Sequence, residues 1–173
     1  MKSLFGPEAA VLPKLSYLGI SRCAVLTGFR FAWEGTASLM AGLGAGRMPV
    51  LKTLKLRGGL VRREGMVALT EVLRVNPFPM LNELELTENW INSTHVTAFA
   101  VTLVTDSLPN LRLLNLANTQ VGEKGGKALA EAMNEGKLQV LRQEGRLMLS
   151  MAAAEGFKEG THDCRCLKIV LHD

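Results

Sequence analysis

Aromatic residues make up only 5% of the chain: six Phe, two Trp and one Tyr. A protein built to hold nucleic acid combines clustered Lys and Arg with rings that stack on bases. Here rings are few and the basic residues are mostly scattered, so a nucleic-acid partner is not indicated. Histidine and cysteine occur three times each. Neither falls into a Ser-His-Asp or Cys-His arrangement that would activate a nucleophile, and an enzyme reading has little to rest on. Three cysteines cannot all pair within one chain, and Cys164 and Cys166 are awkwardly placed for each other. A reducing compartment, hence the cytoplasm or nucleus, follows as the expectation, with a cytoplasmic location put first. No run approaches the ~18 apolar residues of a membrane helix. At the N-terminus, Pro7 and Glu8 interrupt "MKSLFGPEAAVLPKL" too early for a secretory signal.

What is present is a globular balance of 47% hydrophobic and 21% charged residues over 173 positions, one domain's worth of chain. The net charge of +4 is unevenly spread. Residues 1–75 hold eleven Lys/Arg against four Asp/Glu, and residues 76–173 hold nine against twelve. That asymmetry suits a polar scaffold with two differently charged ends.

The organising feature is a leucine pattern that is neither strand nor helix throughout. In "LNELELTENWI" leucines stand at 81, 84 and 86 and an asparagine at 89, with gaps of three, two and three. "LSYLGISRCAV" from Leu15, "LKTLKLRGGLV" from Leu51 and "LRLLNLANTQV" from Leu111 repeat it. Partial copies are "LQVLRQEGRLM" from Leu138 and "CLKIVL" from Cys166, giving intervals of 36, 30, 30, 27 and 28 residues. Self-similarity on this scale signals a solenoid. The copies at 51, 81 and 111 are followed by stretches with apolar spacings of three and four, "EGMVALTEVLRV", "STHVTAFAVTLV" and "EKGGKALAEAMN", which predict helices. Gly65 and Gly125 occupy equivalent places in the first and third of these, and His95 stands there in the second. The first interval is longer because "LTGFRFAWE" carries an insertion with Phe29, Phe31 and Trp33, read as a local packing plug.

These copies resemble the leucine-rich repeat family, in its ribonuclease-inhibitor-like class with long repeats and full helices. The motif L-x-x-L-x-L-x-x-N/C-x-L is matched strongly at 15, 51, 81 and 111 and weakly at 138 and 166. The resemblance implies an α/β horseshoe, with a parallel sheet on the concave face and helices on the convex face. It implies one domain over residues 1–173, of five to six units starting near 15, 51, 81, 111, 138 and 166. Neither half of a unit can bury its apolar face alone, so stacking makes the core. Expected core anchors are Leu51, Leu54, Leu56, Leu81, Leu84, Leu86, Leu111, Leu114 and Leu116. At the ninth motif position the family uses Asn or Cys to bond turn backbone. Asn89 and Cys23 fit, Thr119 substitutes in part, and Gly59 and Arg146 do not. Gln143 falls on a core leucine position, so the sheet is expected to be irregular there.

Residues flanking each central leucine should share the open sheet face: Tyr17 and Gly19, Thr53 and Lys55, Glu83 and Glu85, Leu113 and Asn115. Lys52 and Arg57 lie beside the second pair and Glu88 beside the third. A basic strand next to an acidic one reads either as a solvated ion-pair ladder or as a recognition surface. Trp90, at the rim, either covers loop backbone or anchors an interface. The protein-binding residues expected are therefore Lys52, Lys55, Arg57, Glu83, Glu85 and Trp90.

Other candidates give way to structural readings. His162, Cys164, Cys166 and His172 have no usual zinc spacing, and Cys166 fits as a core anchor, so no metal or other cofactor is expected. "Asn92-Ser93-Thr94" is a glycosylation pattern, but Ser and Thr before a helix are also what an N-cap demands. "GLGAGR", Gly42 to Arg47, reads as a helix stop.

The function expected is a non-catalytic scaffold that binds a protein partner on its concave face. The alternatives are a Ran-GTPase-activating-like regulatory module and a structural fragment of a longer repeat protein. Because "CLKIVL" reads as an apolar strand without a cover, self-association through residues 164–171 is also expected.

Overall fold

Leucines in strict alternation, each followed thirty residues later by its counterpart, build one face of a sheet. The computed structural model describes residues 11–21, 36, 39–59, 61–75, 78–103, 107–160 and 168–172. The insertion with Phe29, Phe31 and Trp33, the ninth-position Cys23, and His162, Cys164 and Cys166 lie outside them. Among the described residues there are six strands: β1 (Tyr17–Ser21), β2 (Thr53–Arg57), β3 (Glu83–Glu85), β4 (Leu113–Asn115), β5 (Arg146–Ser150) and β6 (Lys168–His172). They form one parallel sheet in chain order. Parallel neighbours need a crossover, and helices supply it. These are α1 (Arg63–Val75), α2 (Ser93–Thr102), α3 (Glu123–Asn134), α4 (Gln139–Glu144) and α5 (Met151–Gly160). Helical backbone also occupies residues 39–44 and stops at Gly46, which takes φ +65° as expected for "GLGAGR".

Register aligns Leu18, Leu54, Leu84, Leu114, Leu147 and Ile169 across the sheet. The nine expected anchors are all at most 2% exposed. They share one core with Met66, Leu69 and Leu73 of α1, Val96 and Phe99 of α2, Leu129 and Met133 of α3, and Phe157 of α5. The intervening Thr53, Lys55, Glu83 and Glu85 project to the other face and remain half-buried. A backbone bond recurs where β2, β3, β4 and β5 begin: Lys52 N–H donates to Ser16 O (2.8 Å), Asn82 to Lys52 (2.7 Å), Arg112 to Asn82 (2.8 Å) and Arg146, the first residue of β5, to Arg112 (2.8 Å). The exit turn recurs too, with Gly58, Glu88 and Asn118 all at positive φ.

Asn89 does what the ninth position requires. Its Nδ2 donates to Leu56 O (2.6 Å) and Leu86 O (2.9 Å), and its Oδ1 accepts from Val61 N–H (2.9 Å), all buried. One amide thus ties the exit turns of two adjacent units, where the sheet has ended and backbone groups would otherwise go unpaired. Thr119 makes only one such bond, to Leu116 O (2.6 Å). Asn89→Ala should cost about 1–3 kcal/mol for each buried group left unmatched, read as a fall in urea midpoint. An unchanged midpoint would mean that water replaces the amide.

The fifth unit corrects the sequence reading. The copy from Leu138 was expected to supply a strand, but Gln139–Glu144 is helical and the strand is Arg146–Ser150. The physical reason is periodicity. Leu138 and Leu141 are three apart and both buried, whereas Leu147 and Leu149 alternate with Arg146, Met148 and Ser150. Gln143, expected on a core position, is exposed.

Candidate functional site

On the open face, Lys55 of β2 stands opposite Glu85 of β3, and Thr53 opposite Glu83. Lys55 Nζ lies 2.6 Å from Glu85 Oε1 and 3.6 Å from Glu83 Oε2, so one ammonium bridges two carboxylates. The hydrogen bond to Glu85 holds the Lys55 pKa above its ordinary value of 10.5, against a smaller opposing effect of burial and with help from the charges of Glu85 and Glu83. Because the folded pKa is raised, this pair stabilises below the ordinary lysine pKa and its contribution fades as pH climbs through the raised value.

Arg57, at the end of β2, reaches across to the exit turn of the next unit. Its Nε donates to Thr87 Oγ1 (2.8 Å) and its Nη2 lies 3.4 Å from Glu88 Oε1. Lys52 is exposed just before β2 and stands outside these two pairings. Trp90 is 59% exposed at the rim, with the Arg62 guanidinium 5.7 Å from its ring centroid, a cation–π contact. Of the six expected site residues, three meet directly: Lys55, Glu83 and Glu85. Arg57 and Trp90 belong to separate pairs. Thr87 was not among the expected residues, yet it lies thirty after Arg57, and the repeat interval alone could have found it. Tyr17 is exposed and lies across Gly19: a Cβ there would come 2.6 Å from the phenol oxygen. Farther along, Leu113 and Asn115 are shaded by their neighbours, and Arg112 pairs with Glu144 (2.9 Å).

The start of α2 differs from expectation. Asn92, not Ser93 or Thr94, is the N-cap: its Oδ1 accepts from His95 N–H, and His95 Nδ1 accepts from Asn92 N–H, both at 3.2 Å. This is a capping box in which imidazole replaces the usual Glu or Gln. Ser93 instead accepts from Gly122 N–H (2.9 Å), tying α2 to the next unit. Burial first, and then the Arg63 charge, lower the His95 pKa below 6.5, while Glu64 opposes. The unfolded chain therefore takes up the proton first as pH falls, so stability declines from about pH 6.5 down to the lowered value. Protonation also removes the Nδ1 acceptor. His95→Gln keeps a neutral N3 acceptor and should flatten the pH dependence of the melting temperature between pH 7 and 5. An equally steep dependence in the variant would assign it elsewhere.

Among the described residues, no group of three or more His, Cys, Asp or Glu could hold a metal ion. No described helix is long and apolar enough to cross a membrane. The family described as Leucine Rich repeat matches residues 107–130, which run from Ser107 through β4 and its exit turn into α3. No curated protein matches the chain.

Proposed function

We propose that the chain is a non-catalytic protein-interaction scaffold of the ribonuclease-inhibitor-like class. Its units form a single horseshoe domain over residues 1–173, whose concave sheet face receives a protein partner in the cytoplasm. Lys52, Lys55, Arg57, Glu83 and Glu85 contact that partner, with Trp90 at the rim. The observation that carries this reading is the bridge from Lys55 to Glu83 and Glu85. It holds long side chains of two adjacent strands in place before any partner arrives, so less side-chain freedom is lost on binding. A mixed-charge surface of this kind contributes more to specificity and encounter rate than to raw affinity. A partner captured by the intact protein should therefore associate more slowly with the Lys55→Glu, Arg57→Glu double variant, and with altered salt dependence. Surface-plasmon kinetics would test this. An unchanged association rate, together with binding lost in helix-side variants, would reject the sheet face.

A further inference from the structure

A second surface lies on the helix side, independent of the sheet-face reading. α1 and α3 carry Gly65 and Gly125 where α2 carries His95. A Cβ at Gly125 would come 3.2 Å from Ser93 Cα, so the missing side chain lets α3 close against α2. One unit earlier, the equivalent positions are His95 and Arg63. Between α1 and α2 runs a groove of ≈ 550 Å³, with His95 and Arg63 both in its lining. That volume lies within the range of ligand-binding clefts.

The groove has direction. Met66, Val67 and Ala98 line it with apolar surface, and Val67 is 60% exposed. At one end stand Arg63 and the N-termini of α1 and α2, whose dipoles favour negative charge. α1 carries Glu64 in its first turn, outside the groove lining, and α2 carries no acidic residue in its own. Arg63 forms no ion pair among the described residues. Toward the other end, Glu71 is already paired with Arg74. Among the charged side chains that line the groove, the one without an ion pair is therefore Arg63, at one end. α2, ten residues long, spans roughly 15 Å, the reach of four or five extended residues.

We propose that this groove docks a short segment of a partner protein, whose apolar side chains lie along Val67 and Ala98 and whose carboxylate meets Arg63. Complementary charge selects this occupant over a basic or uncharged one.

The test is selection from a random-peptide display library on the full chain, in parallel with its Val67→Glu and Arg63→Glu variants. Val67 is exposed, so both variants should fold, as circular dichroism can verify. Peptides retained by the wild type and lost on Val67→Glu should pair an acidic residue with aliphatic or aromatic neighbours. Arg63→Glu should weaken those acidic peptides by about fivefold or more, and less at high salt. Lys55→Glu should leave them unaffected, which separates this groove from the sheet face. The proposal is overturned if no peptide depends on Val67, if the Val67-dependent peptides lack acidic residues, or if Val67→Glu instead abolishes self-association of the chain.

Discussion

Gly156→Ala and Gly126→Ala should each destabilise the protein by about 3 kcal/mol or more, the upper end of what overpacking costs. A Cβ at Gly126 would land on the carbonyl oxygen of Ala153 and lie 2.8 Å from Phe157 N. One at Gly156 would land on the Glu123 carbonyl, 2.6 Å from that residue's Cα. These are backbone atoms on α5 and α3, so no rotamer change relieves the clash and the helices must separate. The sign is diagnostic, because Ala is better than Gly in a helix interior by about 1 kcal/mol and propensity alone predicts stabilisation. Gly122→Ala is the control: its Cβ would meet only Ser93 Oγ at 3.5 Å, an ordinary contact. Urea midpoints unchanged or raised in Gly156→Ala would show that α3 and α5 are not in backbone contact.

Leu84→Ala should cost about 2–5 kcal/mol. Leu84 is 0% exposed and lies in register between Leu54 and Leu114, so truncation opens a cavity shared by three units. Leu113, next to Leu114 in sequence, is 8% exposed but lies outside the main core on the open face. Leu113→Ala should therefore cost markedly less. Equal losses in the two variants, measured by chemical denaturation, would contradict the assignment of faces.

The nine leucines of the units at 51, 81 and 111 could be read directly, because a three-two-three spacing has one physical solution: a short strand entered and left by turns. Asn89 could be read through the repeat resemblance, which implies an Asn or Cys at the ninth position bonding turn backbone. The fifth strand could not be read from the motif. Leu138 and Leu141 imitate the anchor and central leucines, yet their spacing of three serves a short helix, and Leu141 fills the core from there. The local signal for the true strand was the alternation in "RLMLS". On the open face, repeat arithmetic placed Lys55 beside Glu83 and Glu85. It could not say which ion pairs close, since that depends on side-chain reach. The groove was hidden for another reason. The exchange of glycine for His95 was visible, but the groove is lined jointly by α1 and α2, which no single segment encodes.

The repeated-unit account is tested most directly by amide hydrogen exchange at the four positions that open successive strands. Lys52, Asn82, Arg112 and Arg146 each donate to the unit before. Stacked units that open together should give these four amides similar protection, close to that of global unfolding. An Arg146 amide that exchanges freely while the other three stay protected would contradict the account, because the fifth strand would then stand outside the stack.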